Sequence, residues 1–146
     1  MRLGSCSRCR RCRRSRASPH AGRGEDIDVT RAALSASLGA YEGGGATRVE
    51  YADDQYVELR SNGPYGAVMM GLSVDEGLGS IEDGGTASGD VIGCGGPSEG
   101  DWYWDRHTRA VRVQVEPIDA RTRRVSVEAD WSDGSFARAT FDYEIR

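Results

Sequence analysis

Residues 124–145 read RVSVEADWSDGSFARATFDYEI. Val125, Val127, Ala129 and Trp131 recur at every second position, and so do Ala137, Ala139, Phe141, Tyr143 and Ile145. Arg138, Thr140, Asp142 and Glu144 take the alternate places of the second run. Successive side chains of a strand point to opposite faces, so this period of two puts an apolar face inward and a polar face outward. Asp133 and Gly134 fall between the runs, where a tight hairpin turn is expected. Upstream, residues 110–116 (AVRVQVE) repeat the pattern with Val111, Val113 and Val115 against Arg112 and Gln114. Three successive half-buried strands make an antiparallel meander.

The rest of the chain extends that reading. Residues 65–74 (YGAVMMGLSV) form the most apolar run and suit a strand buried on both faces. Residues 55–61 place Val57 and Leu59 on one face, and Asn62, Gly63 and Pro64 then break the chain. Residues 47–52 (TRVEYA) alternate weakly. Residues 29–40 admit a helix with Asp28 as its cap. Leu34, Ala36, Leu38 and Ala40 nevertheless alternate with Ser35, Ser37 and Gly39, which favours a strand. Residues 75–101 read as a long glycine-rich connection holding one brief strand at 91–94. The 20 glycines and the 38% hydrophobic share leave no stretch able to sustain a long helix. The expectation is an all-β domain: a single antiparallel β-sandwich of about seven or eight short strands, with a small β-barrel as the alternative.

Charge divides the chain at residue 25. Residues 1–24 hold eight of the 19 basic residues and no acid. Residues 25–146 therefore carry 11 arginines against all 23 acids, a net of −12. An acidic domain repels nucleic acid and anionic lipid and attracts cations, so no nucleic-acid partner is expected for the folded part. Every basic residue is arginine, which fits a GC-rich gene or an acidic surface adapted to salt. No segment approaches the roughly 20 apolar residues of a transmembrane span.

The opening residues MRLGSCSRCRRCRRSR admit four readings. Cys6, Cys9 and Cys12, joined by His20, could supply four ligands to zinc, because a C-x2-C turn brings two thiolates to one metal. The run resembles the cysteine motif of bacterial ferredoxins, but Arg16 stands where the fourth cysteine is needed. Leu3, Gly4, Ser5 and Cys6 resemble a lipobox, and Arg10 with Arg11 resembles a twin-arginine signal. Both signals need an apolar region of roughly 7–15 residues, which the sequence as given lacks, so no signal peptide is present in it. A basic arm for nucleic acid is the third reading. The fourth, and the one preferred, is a disordered tail or an incorrectly placed start. Leu3 is its only large aliphatic side chain, so it is expected to add nothing to folding.

Within residues 25–146 the most suggestive feature is the stretch Trp102, Tyr103, Trp104. In an extended chain Trp102 and Trp104 share a face. With Asp101 and Asp105 beside them they would make a stacking platform for a sugar ring. The competing reading buries both indoles in the core. Acidic pairs at Asp53 and Asp54, at Asp75 and Glu76, and at Glu82 and Asp83 raise the question of calcium, as do Glu99, Asp101 and Asp105. None follows a known calcium loop, and no cofactor is expected. Cys94 is the sole cysteine of residues 25–146 and has no second domain cysteine for a disulfide. A Cys94–His107 nucleophile and base pair would make a small cysteine-dependent enzyme, although the spacing does not enforce it.

The layout, a basic leader before an acidic glycine-rich β domain, resembles that of bacterial envelope proteins. The resemblance is one of style and transfers no residue role. The expectation is a non-catalytic envelope or secreted domain that acts by binding or structurally, in an extracytoplasmic setting. A carbohydrate-binding module and a cysteine-dependent enzyme are the alternatives.

Overall fold

The computed structural model describes residues 26–63, 66–97, 102–109 and 112–144. The tail cysteines Cys6, Cys9 and Cys12, together with His20, Asp101, Glu99, Val111 and Ile145, lie outside them. Among the described residues eleven strands follow in chain order: β1 Asp28–Leu38, β2 Tyr41–Gly43, β3 Thr47–Ala52, β4 Tyr56–Gly63, β5 Gly66–Val74, β6 Thr86–Ala87, β7 Gly89–Gly96, β8 Trp104–Arg109, β9 Arg112–Pro117, β10 Thr122–Asp130 and β11 Phe136–Glu144. One 3-10 turn, Leu78–Ser80, interrupts the connection from β5 to β6. Among the described residues there is no α-helix, and no helix long and apolar enough to cross a membrane.

The strands form two antiparallel sheets that do not close into a barrel. One has the order β2-β1-β11-β10-β9-β6 and the other β3-β4-β5-β7-β8. They enclose one apolar interior. Leu34, Ala36 and Leu38 of β1 enter it with Val113 and Val115, Val125, Val127 and Ala129, and Ala137, Ala139 and Phe141. Val57, Leu59, Val68, Met70, Leu72 and Val91 face them from the five-stranded sheet. Each such aliphatic side chain, taken fully out of water, contributes about 1.5–3 kcal/mol.

The meander stands where the alternation puts it. Ala129 lies opposite Ala137, Val127 opposite Ala139, and Val125 opposite both Phe141 and Val115. The expected tight turn is a five-residue connection between the paired residues Asp130 and Phe136. The Gly134 N–H donates to the Trp131 carbonyl, and Gly134 takes the positive φ (91°) that the turn requires. β5 is buried on both faces along nearly its whole length, as its unbroken apolar run implied.

Three departures have local causes. The weak alternation of β3 is a bulge: Val49 lies opposite Leu59, Tyr51 opposite Glu58 and Ala52 opposite Val57. Two residues there face one, so Val49 and Ala52 both reach the interior although three positions apart. β2 and β6 are too short to show a period, and β8 (WDRHTR) is an edge strand of which only Trp104 enters the core. The connection 75–101 contains β7, a full inner strand between β5 and β8. The brief strand expected at 91–94 is its middle, and the glycines at both ends hid its full length. A side chain at Gly93 would meet the rings of Trp131 and Trp104, so glycine there makes room for indole.

Candidate functional site

The expected aromatic platform does not form. Trp104 opens β8 and turns into the interior, edge-on to Trp131 with ring centroids 5.4 Å apart. Trp102 precedes the strand and packs on the other side of the sheet with Ala67, Met69 and Cys94. The two indoles are 5% and 7% exposed and share no stacking surface. Each ring is also covered by a guanidinium, Arg60 over Trp102 at 5.0 Å and Arg106 over Trp104 at 5.2 Å. The period-two argument fails here because Trp102 lies outside the strand. Asp105 is buried opposite Cys94, and Asp101 lies outside the described residues.

Cys94 is fully buried and disulfide-bonded, which corrects the expectation of a sulfur without a disulfide partner. A sulfur held in a disulfide offers no thiolate to attack a substrate. His107 lies opposite Ile92 at the exposed edge strand, two pairs further along than the Cys94–Asp105 pair. The two residues therefore make no nucleophile and base.

The acidic pairs are engaged in ways their sequence did not show. Asp53 is fully buried and acts as a turn cap: its Oδ1 accepts the N–H groups of Gln55 and Tyr56, and its Oδ2 accepts the Tyr51 hydroxyl. Asp75 and Asp90 both pair with Arg109 on β8. Asp83 pairs with Arg123. Among the described residues no three histidine, cysteine or carboxylate side chains converge to hold a metal ion.

What the structure does assemble is a cleft where β1 begins. One cavity of about 270 Å³ is lined by Asp26, Ile27, Asp54, Leu78, Asp83, Arg123, Tyr143 and Glu144, with Gly79 and Ile81 completing it. A shallower groove of about 410 Å³ adjoins it through the shared Asp26 and Ile27 and runs between β1 and β3, past Asp28 and Glu50. The Leu78 N–H donates to the Asp54 carbonyl at 2.6 Å, which fastens the 3-10 turn to the β3–β4 connection and builds the cavity's apolar floor. Burial pushes the Tyr143 hydroxyl up from its ordinary pKa, so it stays a neutral donor at the rim. Among the described residues six carboxylates thus line the two cavities, and the one guanidinium beside them, Arg123, is paired with Asp83.

This chain matches no described protein family, no characterised protein and no solved structure. The cleft is therefore read on its own chemistry. Sequence reasoning noted the acidity that draws cations but not the cleft. Its walls come from five separate stretches of chain, and no local motif joins them.

Proposed function

We propose that the chain is a non-catalytic β-sandwich domain of an exported or envelope protein, acting by binding, and that its acid-lined cleft takes a cationic group of the partner. The observation that carries this reading is the cleft itself. Carboxylates rim an apolar floor made by Ile27, Leu78 and Ile81. Low-dielectric walls focus the field of such a rim and raise the local concentration of cations. A guanidinium or ammonium on a short apolar stem fits both parts, because its head meets the acids while the stem covers the floor. The disulfide at Cys94 supports the setting, since disulfides persist in oxidising compartments.

The test is a titration of the labelled full chain with an arginine-bearing tripeptide and its citrulline counterpart, followed by NMR chemical shifts. The arginine peptide is expected to shift Ile27, Leu78, Ile81 and Tyr143 and to lose affinity as salt is added. The citrulline peptide leaves these signals in place. The double variant Asp26→Asn, Glu144→Gln keeps the fold and weakens binding. Equal binding of both peptides, or no shift with either, rejects the proposal.

A further inference from the structure

The outer face of the six-stranded sheet carries its charges in a regular pattern. Three rows cross β11, β10 and β9 at right angles to the strands. The first holds Arg138, Glu128 and Arg112 in register and reads plus, minus, plus. The third holds Asp142, Arg124 and Glu116 and reads minus, plus, minus. Between them runs an uncharged row of Thr140, Ser126 and Gln114, continued by Ala33 on β1 and Thr86 on β6. These positions alternate with the interior residues Val113, Val127 and Phe141, so all three rows point outward. Arg112 and Glu116 are exposed, and Arg138, Glu128 and Arg124 are half-exposed. Asp142 is buried, with both carboxylate oxygens held by Arg124.

The pattern is its own complement. A two-fold axis along the middle row carries the first row of one copy onto the third row of another. Arg138 then faces Asp142, Glu128 faces Arg124, and Arg112 faces Glu116. Every pair is opposite in charge. A two-fold axis along β10 gives the reverse. Arg138 then faces Arg112, while Glu128 and Arg124 each face their own counterpart, so like charges meet throughout. The middle row suits the first axis. Ala33, Ser126 and Thr140 are small and let the sheets approach to the usual distance of about 10 Å, and hydroxyls can both donate and accept across the axis.

We infer that this face pairs with the same face of a second copy, about a two-fold axis that runs along Thr140, Ser126 and Gln114. Such an interface is isologous, so each opposite-charge contact occurs twice. Because Asp142 is buried beneath its own arginine, the contacts of Glu128 with Arg124 and of Arg112 with Glu116 carry the recognition. Two twisted sheets stack with strand directions within about 30° of each other, which displaces the rows little near the centre. The middle row spans five strands, and β10 and β11 are nine residues long. At about 4.8 Å per strand and about 3.4 Å per residue the face measures at most ~24 by ~30 Å. Two copies bury at most about 1,400 Å², at the low end of specific interfaces. A weak dimer follows, and its half-exposed charges make it sensitive to salt. None of these residues lines the acid-lined cleft or its groove, so the pairing stands apart from binding there.

Sedimentation of the full chain up to about 1 mM, at low and at high salt, reads the pairing. A monomer–dimer equilibrium that weakens several-fold at high salt is expected. Two single variants on exposed positions then test the axis. Arg112→Glu places acid against Glu116 of the other copy, and Glu116→Arg places a cation against Arg112. Each variant alone is expected to be monomeric, with its fold intact by circular dichroism. An equimolar mixture of the two restores opposite charges at both contacts, so the dimer fraction is expected to return several-fold above that of either alone. A wild-type chain that stays monomeric throughout overturns the inference. So does a mixture that associates no better than its components, or a dimer that survives denaturing electrophoresis without reductant and is therefore a disulfide crosslink.

Discussion

The two sheets treat their outer faces in opposite ways. On the six-stranded sheet the outer face is wet and laced with ion pairs. Arg138 reaches Asp130 and Glu128, Arg112 reaches Glu128, and Arg124 makes a two-pronged contact with Asp142. On the five-stranded sheet the outer face holds Met69, Ala67, Cys94 and Trp102 in a second apolar cluster, with Tyr56 and Glu58 buried beside it. A sheet with one dry face needs alternation, whereas a sheet with two needs continuous apolar runs and glycines where partners approach. β10 and β11 show the first pattern, and β5 and β7 show the second. The difference separates a polar face laced with ion pairs from one that carries a second apolar cluster.

Substitutions on the two sheets sharpen the contrast. The largest loss is expected at the shared interior. Phe141→Ala should cost about 3–5 kcal/mol, read by chemical denaturation, because the side chain is fully buried between the sheets. Met69→Ala probes the outer layer of the five-stranded sheet and should cost about 2–5 kcal/mol, as a core methionine does. Arg138→Ala, on the opposite outer face, should stay within about 1 kcal/mol. Equal effects from Met69→Ala and Arg138→Ala would erase the distinction between the faces.

Gly39→Ala tests the turn where β1 closes onto Trp104. Gly39 has φ of 62°, its N–H donates to Ser135 Oγ, and a Cβ would stand 2.5 Å from Trp104 Cδ1. A loss of about 1–3 kcal/mol is expected, with a changed near-ultraviolet circular dichroism signal from the displaced indole. An unchanged spectrum would show that the turn can give way without moving Trp104.

The smallest effect is electrostatic. The hydrogen bonds from Arg124 hold the Asp142 carboxyl below the usual carboxylate range, against a smaller opposing effect of burial. A carboxyl depressed in the folded state adds stability above its unfolded pKa of about 3.9, and that stability disappears as pH falls through the lower folded value. Asp142→Asn should therefore lower stability at neutral pH and flatten its decline below about pH 4. Denaturation curves at several acidic pH values that are parallel for both chains would show that the pair contributes nothing.

Much of the sandwich was legible in the chain by itself. The alternation in residues 124–145, the two-faced run at 65–74 and the −12 charge of residues 25–146 are properties of local sequence, so they can be read without a fold. The interior residues Val125, Val127, Ala139 and Phe141 follow from that period alone. Tertiary structure decided the rest. Trp102 and Trp104 part company because the strand begins between them, a boundary that no side-chain pattern marks. Only the middle of β7 was legible, as a brief strand at 91–94, because its glycines answer to Trp131, Trp104 and Tyr41 on other elements. The cleft joins five stretches, and its acids acquire meaning only when brought together. The disulfide at Cys94 is likewise a tertiary fact, because residues 25–146 hold no second cysteine and no local pattern could announce it.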